Sequence, residues 1–191
     1  MSTKLPLDGR IKTAAQLATR ARIFYDIWWF YEGAGTRPRI LSTMNEYSEF
    51  FRFDSHAHFV ALVVHLASLL SRSDSVNFST LVTEAKASGD FPPEAITEAE
   101  AISSRGAGVV TESRHIARSN LFAHRSASLS FNDTFQRASI TGNQLRELTN
   151  AGFRIANVLL AARNQPAQFL HNLPKQDAES LLNDLADVCT T

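Results

Sequence analysis

Apolar residues return every three or four positions along most of this 191-residue chain, and no stretch alternates as a strand does. That pattern commits the chain to helices packed on helices. It starts at Ile11 and runs to Glu32, where Ala14, Ala15, Leu17, Ala18, Ala21, Ile23, Phe24, Ile27, Trp28, Phe30 and Tyr31 fill a wide stripe. Gly33-Ala34-Gly35 stops this helix, and Pro38 keeps it stopped. Thr43-Met44-Asn45-Glu46 has the form of a capping box and predicts a long helix from Thr43 to Ser71. A shorter helix follows from Ser79 to Ala87, ended by Gly89. Phe91-Pro92-Pro93-Glu94 starts the next, which the pattern carries to Phe122 with weak points at Gly106 and Gly108. Residues 126–139 read as a loop. Thr141 caps a helix over Gly142 to Ala162, Pro166 and Pro174 bracket a linker, and an amphipathic helix closes the chain from Lys175 to Val188. The expected fold is all-α, a single bundle of five to six helices. Its expected divisions are a flexible start over 1–10, the bundle over 11–165, and a linker with the last helix over 166–191.

Charge excludes some functions and localises others. Nineteen basic residues balance nineteen acidic ones, so the chain has no global attraction for nucleic acid. Any such contact must come from local patches. Residues 1–39 carry seven Lys or Arg against three acids, an excess of four. Residues 105–137 carry five Arg against Glu112 and Asp133, an excess of three. Both swings also suit ordinary solvated helix faces. The single Cys189 has no partner for an internal disulfide, which fits a reducing compartment. The first ten residues lack the apolar run of a signal peptide. The longest apolar run, Phe59 to Leu70, is too short for a membrane span and is interrupted by His65 and Ser68. A cytoplasmic location without membrane attachment is expected. Of the histidines on the second long helix, His58 and His65 share a face and His56 does not. A metal wants three or four converging ligands, so neither a metal nor any other cofactor is expected.

The stretch with chemistry in it is Arg118-Ser119-Asn120-Leu121-Phe122-Ala123-His124-Arg125. It sets a permanent cation six residues before the side chain that titrates near neutrality. Such a pair suits phosphodiester cleavage in RNA, whose 2′-OH is a built-in nucleophile. His124 would move protons, and the guanidinium fork of Arg118 would steady charge on the phosphate. Asn120 or Ser119 would orient the imidazole or the sugar, and Arg114 and Arg125 are candidate contacts to the RNA backbone. On a straight helix Arg118 and His124 lie roughly 120° apart, so the helix must end or distort near Ala123, or a second subunit must complete the site. The plainer alternative makes His124 a helix-end residue favoured by the dipole and Arg118 a solvated or ion-paired side chain.

The Arg118-x5-His124 stretch resembles the signature of the HEPN superfamily. Two further stretches, Ile27-Trp28-Trp29-Phe30-Tyr31-Glu32-Gly33 and Glu49-Phe50-Phe51-Arg52 continuing through His58 to Val63, are similar to the abortive-infection, AbiU-type branch. The resemblance covers roughly residues 10 to 165. It implies a helical bundle, a two-fold homodimer that brings two motifs together, and metal-independent endoribonuclease activity. The products would be a 2′,3′-cyclic phosphate and a 5′-OH. It also implies a role in phage defence or in a toxin–antitoxin pair, with a possible antitoxin protein as partner. Ser119 stands where many active members carry asparagine directly after the arginine, and asparagine follows at 120. A non-catalytic HEPN-like module that binds RNA, a nucleotide or a protein is the alternative. The Trp28–Trp29 pair reads either as a platform for bases or as packing, in the core or between subunits.

Overall fold

The computed structural model describes residues 5–70, 74–116 and 141–189, without the side chains of 105–116 and 189. Seven helices and no strand are found among the described residues. They are α1 (Leu7–Glu32), α2 (Arg37–Glu46), α3 (Ser48–Leu70), α4 (Phe78–Ser88), α5 (Pro93–Ile116), α6 (Gly142–Ala161) and α7 (Leu173–Cys189). The all-α expectation holds, with one helix more than expected.

The extra helix is α2. Pro38 was expected to keep the chain out of helix, yet it sits in the first turn of a new one, where its missing N–H is not needed. The Thr43–Glu46 stretch therefore closes α2 instead of opening a long helix, and Thr43 is buried. Tyr47 breaks the two apart with φ −115° and ψ 41°. At the other end of the chain, α1 begins at Leu7, four residues before the expected Ile11, with Pro6 before it and Asp8 in its first turn. Asp8 accepts two bonds from Arg163 at 3.0 and 3.1 Å. Asn77 caps α4 by accepting from the Thr80 N–H at 2.8 Å, and Gly89 ends it in the left-handed region at φ 72°. Thr141 and Gln144 form a reciprocal capping box on α6, as the sequence predicts.

α1 is the axis of the bundle. Its Tyr31, Trp28 and Phe24 meet Phe51, Phe59 and His65 in turn, so α3 runs antiparallel to it on one flank. On the other flank Asp8, Arg22 and Gly142 show that α6 is antiparallel too: Asp8 meets Arg163, Arg22 meets Asn150 and Trp29 meets Gly142. α5 continues the layer beyond α6, with Phe91 under Arg163 and Glu98 beside Arg154. The order across the molecule is α3, α1, α6, α5. α4 packs on α5 and α1, and α7 packs on α1 and α2. Small Ala14, Ala15 and Ala18 on α1 let α4 and α6 come close around Phe78, Leu81 and Leu159. Each fully buried large side chain in such a core contributes about 1.5–3 kcal/mol. α3 is the only described helix long and apolar enough to cross a membrane by length and composition; its Phe51, Phe59, Leu62, Leu66 and Leu69 are buried inside the bundle.

Candidate functional site

Ile27–Gly33 and Glu49–Val63, the two stretches set apart in the sequence, pack directly on each other. Their polar residues are what make the seam unusual. Tyr31, 3% exposed, hydrogen-bonds through its phenol to Asp54. Burial, then the Asp54 carboxylate and its hydrogen bond, pushes the Tyr31 phenol far above its ordinary range. His58 lies edge-on to the Tyr31 ring and its Nδ1–H donates to the Asp54 carbonyl at 2.8 Å. At the next position, the last of α1, Glu32 accepts from the buried Ser55 hydroxyl at 2.8 Å and pairs with Arg37 of α2. This knot of Tyr31, Glu32, Arg37, Asp54, Ser55 and His58 ties α1, α2 and α3 together at one end. The acids Glu32 and Asp54 come from an aromatic-rich end that the sequence already marks by its charge among apolar residues. Their partners were not legible, because pairing across two helices depends on how the helices meet.

Trp28 and Trp29 sit beside this knot. Trp28 packs on Phe59, and Trp29 stacks nearly parallel to Tyr25, with interplanar angle 12°. Trp29 also lies flat against the start of α6: a Cβ on Gly142 would stand 2.0 Å from the ring. Both rings are half-buried by these contacts within the chain. Arg22 lies over the Tyr25 ring, paired with Asp26, and donates to Asn150. Burial raises the Tyr25 phenol, and Arg146 and Arg22 pull it partly back. This corner, with Trp29, Arg22 and Arg146, is where α6 starts. Because α5 is antiparallel to α6, the last turns of α5 run toward the same corner.

Residues 117–140 connect those two ends. Arg118, Ser119, Asn120, His124 and Arg125 all lie outside the described residues. Arg114 lies on α5, and its side chain is among those not described. How the expected catalytic side chains meet therefore lies outside the described residues, which include the helix that leads to them. His58 and His65 lie on one face against Phe24, and each Nδ1–H donates to the carbonyl four residues back, at 2.8 and 2.6 Å. That geometry is packing. Among the described residues no group of three or more His, Cys, Asp or Glu is arranged to hold a metal.

Sequence reasoning also missed a buried arginine. Arg10, 4% exposed, pairs with Glu84 and donates to the Leu5 and Ser75 carbonyls at 3.1 and 3.2 Å. It ties the start of α1 to α4, and its neighbours Asp8, Gly9 and Lys12 gave no hint of burial.

The family model for AbiU2, of the HEPN class, matches residues 4–181. The chain belongs to the AbiU2 family. The AbiU2 match spans both aromatic stretches, the Arg118–His124 motif and most of α7. No curated protein and no solved structure matches the chain.

Proposed function

We propose that this AbiU2-family chain is a metal-independent endoribonuclease that acts in the cytoplasm as the effector of an abortive-infection or toxin–antitoxin system. The observation that supports it is that the family match spans Arg118 and His124, a fixed cation and a near-neutral proton carrier in HEPN spacing. In this reading His124 takes the 2′-OH proton as the oxygen attacks phosphorus, and a proton is returned to the departing 5′-oxygen. The products are a 2′,3′-cyclic phosphate and a 5′-OH. Arg118 steadies charge on the phosphate, Asn120 and Ser119 orient the imidazole and the sugar, and Arg114 and Arg125 hold the flanking backbone. Two copies would bring two motifs to one cleft, and an antitoxin protein would hold the pair silent.

The test is paired expression of wild type and His124→Ala at equal protein level, with total RNA examined after induction. Wild-type expression should degrade RNA and arrest growth, also with purified protein in chelator, while His124→Ala does neither. Ser119, standing directly after Arg118 where many active members carry asparagine, favours a second reading, an RNA- or protein-binding module without cleavage. Intact RNA in both cultures, with RNA retained by both proteins in a filter-binding assay, would decide for it.

A further inference from the structure

α3 is apolar on two opposite faces, and among the described residues only one of them packs against the rest of the chain. Phe51, Ser55, Phe59, Leu62, Leu66 and Leu69 face the bundle. On the other side Phe50, Phe53, Ala57, Val60, Val64 and Ala67 follow each other at steps of three, four, three, four and three. That is the a/d spacing of a left-handed helix pair. Phe50 is 57% exposed, Phe53 63% and Val64 46%. Ala57 is exposed as well, and Val60 and Ala67 are half-buried. Only a third of the most apolar stretch of α3 is buried in the chain, so the core does not account for its composition. From Ser55 to Leu70 there is no Asp, Glu, Lys or Arg at all. A solvent-facing helix side without a charge over four turns has the composition of a contact.

We infer that this stripe is a docking surface for the same stripe of a second copy, the two α3 helices running antiparallel. The order of sizes along the stripe selects that occupant. In an antiparallel pair each residue meets the one whose number completes 117, so Phe50 faces Ala67, Phe53 faces Val64 and Ala57 faces Val60 of the other chain. Each phenylalanine meets a smaller residue and no layer sets two large side chains together, as close packing requires. A parallel pair would set Phe50 on Phe50 and leave the alanine layers empty. The area is sufficient. Two phenylalanines and a valine at those exposures, with the smaller residues, leave on the order of 400 Å² of apolar surface per chain. A pair of stripes covers about 800 Å², which the flanking polar residues bring to the roughly 1,000 Å² a specific interface needs. Charge also permits it: Glu49 is neutralised by Arg52 on its own helix, and both face the uncharged half of the other α3.

α3 and α5 lie at opposite edges of the described bundle, so this interface is separate from any contact made through α5 itself. A chain with two isologous faces of different kinds assembles as a closed tetramer or an open row. The inference does not depend on nuclease activity.

The experiment is light scattering after size exclusion on the full-length chain, wild type beside Phe53→Asp and Val64→Asp, with far-ultraviolet circular dichroism on each. The wild type should have the mass of two chains or a multiple of two. Both substitutions lie on the surface and should halve that mass with helical content unchanged. A monomeric wild type, or an unchanged mass in both folded variants, overturns the inference. So does a wild type that is monomeric but floats with phosphatidylcholine vesicles, since the stripe would then be a lipid contact.

Discussion

Tyr31 is the buried member of the polar knot between α1 and α3 that bonds Asp54. Tyr31→Phe removes the bond to Asp54 and should cost about 1–2 kcal/mol, read as a lower midpoint in urea. The same residue sets an alkaline limit. Its folded phenol holds its proton more tightly than the unfolded one, whose ordinary value is 10.0. This contribution is therefore complete below that pH and is lost progressively as pH rises above it. Melting followed from about pH 9 upward should fall steeply for the wild type and less steeply for Tyr31→Phe. Gly142 is the other residue with no freedom. An alanine Cβ would collide with Trp29 at 2.0 Å, so Gly142→Ala should cost about 1–3 kcal/mol, measurable as a fall in Tm.

Among the elements, α4 shows how a short helix is held by its ends. Asn77 is completely buried, accepts from the Thr80 N–H and donates to the Thr80 hydroxyl at 2.8 Å. Asn77→Ala removes the cap and strands buried partners, and about 2 kcal/mol of stability should go with it in chemical denaturation. Helices were the legible part of this chain. Gly89, Pro93 and Thr141 mark ends through local chemistry that does not depend on the rest of the fold. The α2–α3 boundary was not legible for the same reason turned round. Pro38 both ends one helix and begins another, and only the Tyr47 backbone, set by packing, says which use applies. The outer stripe of α3 was hidden too, because a helix apolar on both sides has the same three- and four-residue rhythm as one buried on a single side.

At the scale of the molecule, the bundle is a stack in the order α3, α1, α6, α5, with α1 bonded to a partner on each flank. The motif was legible as residue types at a spacing: Arg118 and His124 stand out in sequence, and their chemistry follows from what they are. The corner where α6 starts was not legible, since Trp29 reaching Gly142 joins positions more than a hundred residues apart. The site is expected to be separable from this frame. His124→Ala should leave the melting temperature of the purified protein within about two degrees of wild type while abolishing RNA cleavage, the result expected when a residue serves chemistry and not packing. A large loss of stability in that variant would mean that His124 holds the fold, and the growth experiment would need Arg118→Ala in its place.

The corner where Trp29 meets Gly142 also gives the protein a native optical gauge. Its only two tryptophans are neighbours in that corner, so among the described residues tryptophan emission reports on α1, α3 and the start of α6. Fraying of α7 would pass unseen in emission while circular dichroism records it. A mismatch between the two signals during melting would separate the loss of the last helix from the loss of the bundle.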